Sequence, residues 1–410
     1  MTGSPEPLNA TIVKDGAGRQ DAVDLGNGIF MSRDVSNLYR VLTDEGDVLI
    51  NTGIGFSAEE NVRRLSAVSD KPIRKIIFTQ SHDDHIGGWP SFNAPGIETI
   101  AQANFAHVRG YFRDSGLGPT LARRSRALWS RDIKKPVVDR TEPEISRIFH
   151  DSYSFSLGGR QFDLLAVKGE TLDSLVVWMP QDRIVFTGNL TGPLFGHVPN
   201  LYTLRGDKIR SVQFYIDSLQ RVIDLEPETL VTGHGNPIRG AAEVKAQLSQ
   251  IRDASQYLMD RTFEGMNAGK SLWDLMAEIR LPPDLAIGQG HGKVSWIVRA
   301  IWEEHLGWFR YESSTELYNV PPQAVMSDLI ALAGGTGPAL SLARAHLSAG
   351  RPLHALHIAE AIGNVPDALQ VRRDANQAIL DRVGRENFSE VRWLEAQIAN
   401  LDAQLGVNTQ

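Results

Sequence analysis

The stretch IIFTQSHDDHIGGW, residues 76–89, sets His82, Asp83, Asp84 and His85 side by side between an apolar run and a pair of glycines. A short apolar run bounded by polar residues predicts a strand. Strand ends are where functional groups collect. On a turn at such an end alternate side chains point to one side, so Gln80 and His82 can meet one cation while Asp84 and His85 reach a neighbouring one. Histidine with carboxylate is the usual donor mixture for zinc or manganese at a site that keeps one position open for water. Gly87 and Gly88 let the backbone turn tightly beside the cations.

Outward from this turn, SNLYRVL, EGDVLINTG and IRKIIFT read as strands, with DEG a hairpin turn between the first two. SAEENVRRLSAVS between the second and third has helical spacing and a serine at its start to cap it. RQFDLLAVKG, DSLVVWMP, DRIVFTG and ETLVTGHG supply a second group of strands, each ending in a polar turn. Three further candidates sit at those ends, each preceded by glycine: Glu170 in VKGETLDS, Asn189 in FTGNLTG and His234 in VTGHGNP. Strands interleaved with helices over the first ~240 residues point to sheets covered by helices.

Beyond that the chain reads as helices, broken at IRLPPDLA and NVPPQAV. The tail repeats a paired-helix unit, somewhat like tetratricopeptide hairpins. Pro352 and Pro366 suit first-turn positions and Gly350 and Gly363 suit helix ends. Leu340, Ala343 and Leu347, then Ala368, Val371, Ala375 and Ala378, recur at helical spacing. Such arrays usually mediate contact rather than chemistry. The expected division is residues 1–245 for the mixed part and 246–410 for the helical part.

The 410 residues are 42% hydrophobic and 22% charged, with a formal net charge of -7, which argues against a nucleic-acid partner. The absence of cysteine removes disulfides, thiolate metal sites and a cysteine nucleophile, leaving nitrogen and oxygen ligands for any metal. No segment approaches the ~20 uninterrupted apolar residues of a membrane span, and MTGSPEPLNATIVKDG has no signal-peptide pattern. The expected location is the cytoplasm. Ser81 and Ser174 have no evident triad partners.

Taken together, the strand-end motifs resemble those of the metallo-β-lactamase superfamily over roughly residues 25–240. Its first motif is commonly His-x-His-x-Asp-His followed by x and two glycines, and TQSHDDHIGG matches at every defined position except the first histidine, which is Gln80 here. The resemblance implies an α+β fold, an αββα sandwich followed by an all-α helical domain. It implies two zinc ions, with a single ion as the alternative and manganese or iron as other occupants. One would be held by Gln80, His82 and Glu170, the other by Asp84, His85 and His234, with Asn189 where a bridging aspartate usually lies and Asn51 where a supporting aspartate often lies. A glutamine carbonyl is a weaker ligand than imidazole and asparagine cannot bridge two cations as a carboxylate can, so the first ion would be the weaker one.

Within the superfamily the chain is similar to the alkylsulfatases, on Glu170 in a glycine-rich turn, the segment NLYTLRG from Asn200 to Gly206, and HLGWFRYE near a helical dimerisation domain. That likeness implies hydrolysis of an alkyl sulfate or related ester by metal-activated water, an anionic or amphiphilic small-molecule substrate and a homodimer. Asn200 and Arg205 would hold the sulfate oxygens, and Asp84 would be ligand and proton acceptor. Alkylsulfatases have a histidine in the helix before the GW segment, where this chain has Trp296; His291 and His305 are the candidates for the missing acid. Another ester or a lactone is the alternative substrate, and a silent binding protein on the same fold the alternative to an enzyme.

Overall fold

The computed structural model describes residues 21–407 apart from 114, 130–138, 140, 208 and 209; the amino-terminal reading above lies outside the described residues. Two sheets carry the strands. The first runs in sequence order, β1 (Val23–Gly26), β2 (Ile29–Ser32), β3 (Leu38–Val41), β4 (Asp47–Ile50), β5 (Ile73–Ile77), β6 (Glu98–Gln102) and β7 (Arg147–Phe149). β1 to β4 form an antiparallel meander, and β4 to β7 pair in parallel. Asn27 and Gly28 both have positive φ, as a two-residue turn between twisted strands requires. The DEG turn joins β3 to β4 as expected, with Gly46 at φ 109°. The second sheet holds β8 (Ser152–Leu157), β9 (Arg160–Ala166), β10 (Leu175–Met179), β11 (Ile184–Gly188), β12 (Thr229–Thr232) and β13 (Ile238–Arg239), ordered β13-β12-β11-β10-β9-β8.

The strands are apolar on both faces because both faces are covered. Between the sheets Met31, Tyr39, Val41, Ile50 and Ile77 meet Phe162, Leu164, Val177, Phe186 and Val231. The outer face of the first sheet packs Leu49, Ile76 and Phe78 against Leu65, Trp89 and Phe105 from the helices Ala58–Ser66, Trp89–Phe92 and Phe105–Phe112. The outer face of the second packs Val176, Val185 and Leu230 against the helices Val212–Ile223, Ala241–Asn267 and Val294–Leu306. This is the αββα order that the resemblance implied. A buried ion pair ties β3 to β4: Arg40 donates to Asp47 at 2.8 Å and to the carbonyls of Leu65 and Lys71, and both side chains are buried.

Two local expectations differ. Ser57 precedes its helix, but its side chain makes no capping bond, because a 3-10 turn at Gly55–Ser57 leads straight into the first turn. The division into compact units also falls later than residue 245: one unit contains Met1–Arg124 with Asp132–Glu304, the other Ser125–Arg131 with His305–Gln410. The reason is packing. Val244, Leu248, Ile251 and Leu258, with Ile297, Val298 and Ile301, close the core over the second sheet, so these helices belong to the sandwich.

The second unit contains the helices Met326–Leu332, Thr336–Ser348, Pro352–Ile362, Pro366–Val383 and Phe388–Gln404. Pro352 and Pro366 open their helices, and Gly350 and Gly363 take positive φ at helix ends, as the sequence predicted. Leu340, Ala343, Ala355, Ala359, Ala368, Val371 and Ala375 form its core, small residues that let neighbouring helices approach closely.

Candidate metal centre

Side chains far apart in sequence converge at one end of the sandwich, each from a loop following a strand. Gln80, His82, Asp84 and His85 come from the turn after β5, Glu170 from that after β9, Asn189 from that after β11 and His234 from that after β12. Asp84, His85 and His234 bring one donor atom each to within 4.8 Å of one another. Asp84 Oδ2 is 3.6 Å from His85 Nε2 and 3.6 Å from His234 Nε2. Donors around a tetrahedral cation with bonds of ~2.0–2.1 Å lie roughly 3.4 Å apart, so this triad needs little movement to hold one.

The remaining group lies beside it. His82 Nδ1 is 3.3 Å from Glu170 Oε2, and Gln80 Nε2 is 3.3 Å from His82 Nδ1 and 3.4 Å from Glu170 Oε2. Turning the Gln80 amide over presents its carbonyl oxygen to the same space. Asn189 joins the groups, its Nδ2 2.9 Å from Glu170 Oε2 and 3.2 Å from His234 Nε2. Asn189 Oδ1 and His234 Nδ1 are buried without a hydrogen-bond partner. Gly233 allows this closeness, since a Cβ there would collide with the Asn189 side-chain oxygen and come within 3.1 Å of His85 Cε1. The donors of Asp84, His85 and His234 therefore suit a divalent cation, and Gln80, His82 and Glu170 stand together beside them.

Electrostatics follow from burial and neighbours. Burial pushes His85 down to about 4, leaving a neutral imidazole at pH 7. For His82 burial acts in the same sense, but the Asp207 and Glu170 carboxylates overcome it and raise the ring to about 9. Burial disfavours ionised Glu170, yet His82 and Arg210 hold its carboxyl well below the usual range. Asp207 is pushed down to about 2 against its burial, by His82, Arg210 and Arg205.

Arg205 reaches the site: its guanidinium is 3.5 Å from His82 Nε2, 3.3 Å from Asp207 and 5.6 Å from the Phe112 ring centroid. It also lines a cleft of about 730 Å³ with Leu117, Leu121, Tyr202, Met276 and Trp296. Asn200 lines a different, small cavity with Glu170, Arg210 and His291, where its backbone carbonyl accepts from Arg210 at 2.8 Å. His291 is buried there and pushed down to about 3 by that burial; His305 falls in the second unit. Asp207 and Arg210 were missed in the sequence. Their signal would have been the charged residues of DKIR, directly after the seven-residue match.

The pattern of the family described as Metallo-beta-lactamase superfamily matches residues 31–234, which contain every one of these donors. The chain belongs to the metallo-β-lactamase superfamily. A second pattern, Alkyl sulfatase dimerisation, matches residues 272–393 of this superfamily member. Among similar proteins, a linear primary-alkylsulfatase of Pseudomonas sp. is 29% identical over 330 residues, 73% of this chain and 61% of the relative. An alkyl/aryl-sulfatase of Saccharomyces cerevisiae is 24% identical over 315 residues, 67% of this chain and 46% of the relative. The chain thus spans less than two thirds of the length of these curated relatives. The structure of the inverting sec-alkylsulfatase Pisa1 from Pseudomonas sp. superposes with a TM-score of 0.78 at 21% identity, over 95% of this chain and 66% of that one, a likeness of fold.

Proposed function

We propose that this protein is a metal-dependent hydrolase of an alkyl sulfate or a closely related ester, with zinc as its metal. The observation that carries the reading is the 3.6 Å spacing of His85 and His234 about Asp84, next to the Gln80, His82 and Glu170 group and a guanidinium 3.5 Å from His82. The alkylsulfatase relatives support the substrate class. Asp84, His85 and His234 would hold one ion, and Gln80, His82 and Glu170 a weaker second. Held by these residues, zinc would supply a bound water with its pKa lowered to about 7 and would polarise the ester. The chain's own residues do the rest. Arg205 offers directed charged donors to the sulfate oxygens, braced by Asp207 and the face of Phe112. Tyr202, Leu121, Met276 and Trp296 take the apolar tail and exclude water around it. Asp84 accepts the proton released at the reacting water.

The second compact unit supports pairing of two chains through the dimerisation region, and a twofold dimer is the expected form. We also propose a cytoplasmic location. Turnover of dodecyl sulfate by zinc-loaded protein, compared with a lactone and carboxylic-ester panel, tests the reading; release of sulfate is expected. One observation favours the ester alternative: Asp207, 3.3 Å from Arg205, offsets part of the charge offered to an anion. Turnover of neutral esters without sulfate release would select it.

A further inference from the structure

Gln80 and His82 stand on either side of Ser81, so where both side chains reach depends on how the Ser81 backbone is held. Upstream the chain is fixed at Thr79, whose N–H donates to Asn51 Oδ1 at 2.9 Å and whose carbonyl accepts from the Leu175 N–H at 2.9 Å. Downstream it is fixed at His85, whose carbonyl accepts from the Thr52 N–H at 2.8 Å and the Thr52 hydroxyl at 3.2 Å. Between Thr79 and His82, among the described residues, one hydrogen bond reaches the backbone: the Ser81 carbonyl accepts from Arg109 Nη1 at 2.9 Å.

Arg109 is itself held on two edges. Nη1 also donates to Asp83 Oδ1 at 2.8 Å, while Nε, at 2.8 Å, and Nη2 donate to the two Glu142 oxygens. A planar fork engaged on both edges has little freedom to turn, and only 7% of the side chain is exposed. Burial disfavours its charge, but Glu142 and Asp83 overcome that and raise the guanidinium above its ordinary range. Two carboxylates about one guanidinium leave the group one charge negative, so it does not oppose a cation beside His82. The same helix, Phe105–Phe112, carries Phe112 one turn on, with its ring 5.2 Å from that of His82 and inclined to it by 83°. One helix thus holds the residue before His82 by its carbonyl and His82 itself by its ring.

We infer that Arg109 is a positioning residue of the centre, which through the Ser81 carbonyl holds Gln80 and His82 against Glu170 and so sets the affinity for the ion assigned to those three donors. It touches neither cation nor substrate. The inference rests on the two-ion reading of the proposed function and goes beyond it in naming what makes the second position available. Because the turn has separate support from Thr52 at His85, losing Arg109 weakens one ion and spares the other.

The test is a zinc titration without substrate, by competition with a chromophoric chelator, on full-length wild type, H82A, R109M, R109K and R40M. The step lost in H82A identifies the ion of Gln80, His82 and Glu170. R109M keeps the apolar stem and removes the donors; it is expected to weaken that step about 10–100-fold, the usual cost of removing an outer partner of a ligand, and to leave the other step within about threefold. R109K keeps a charge and donors but cannot engage both edges, so a loss of about three- to tenfold is expected at the same step. R40M strands a buried carboxylate between β3 and β4, lowering stability without touching the turn, and should keep both steps. The inference is overturned if R109M binds at the identified step within twofold of wild type, if both steps fall alike, or if R40M loses as much. Should R109M fail to fold, the same outcomes in R109K decide. Wild type with a single step also overturns it and leaves a one-ion hydrolase standing. Wild type that takes up two ions but hydrolyses no ester sinks the proposed function and leaves Arg109 in its role.

Discussion

Arg205 is where the sulfate reading is most exposed to test. A unit charge pair at about 4 Å is worth about 4 kcal/mol at an effective dielectric of 20, an upper bound of roughly a thousandfold in rate. Charge-assisted hydrogen bonds measured by mutation lie at about 1.5–3 kcal/mol, or roughly 10–150-fold. The lower range is the appropriate one, because the side chain is a fifth exposed and already engages Asp207 at 3.3 Å, which any anion must share. R205A is therefore expected to lower kcat/KM for dodecyl sulfate about 10–100-fold. A neutral ester of similar tail should change less than threefold. The fold should survive, since Asp207 keeps Arg210 at 4.0 Å and His82 at 3.9 Å. R205K keeps a point charge without the planar fork and should recover only part of the loss. Steady-state kinetics on both substrates decide the matter; an equal fall on the two, or none on the sulfate, refutes the assignment of Arg205 to the anion.

Three other expectations bear on the same molecule. H234A leaves the Asp84–His85 pair with two donors instead of three, so metal analysis should show loss of one ion per chain and hydrolysis should fall at least about a hundredfold. In the metal-free protein His82 is raised from its ordinary 6.5 to about 9, so it contributes stability that is fully present below pH 6.5 and lost as pH rises through 9; melting in chelator should fall across that window, by the equivalent of up to about 3 kcal/mol, and the fall should flatten in H82Q. R40M strands the buried Asp47 carboxylate between β3 and β4, and urea unfolding should report a loss of about 3–5 kcal/mol.

Much of this was legible in the sequence, for specific reasons. The strands announced themselves as short apolar runs ending in glycine or asparagine, and the donors because histidine and carboxylate rarely cluster at strand ends without cause. Asp207 and Arg210 were not legible: charged residues in a loop read as solvated, and only the chain's return past His82 and Glu170 brings them into a largely covered position. The later boundary between units was hidden because the amphipathic helices Ala241–Asn267 and Val294–Leu306 have the same periodicity as the tail, and only packing says which core they complete.

The charges of the centre carry a last consequence. At neutral pH Asp84, Glu170 and Asp207 are ionised, and facing them are Arg205, Arg210 and a protonated His82. Three negative charges meet three positive ones, so the metal-free site is neutral and has little reason to attract an anion. Loading two divalent cations while releasing one proton from His82 leaves a net charge of about three positive, concentrated where the dielectric is low. Anion affinity should therefore be made by the metal and only directed by Arg205. Titration calorimetry with inorganic sulfate checks this: zinc-loaded protein is expected to bind at least about tenfold more tightly than protein held in chelator, a difference of about 1.4 kcal/mol. Equal binding by the two forms would mean that the arginines alone capture the anion and would refute a metal-made affinity.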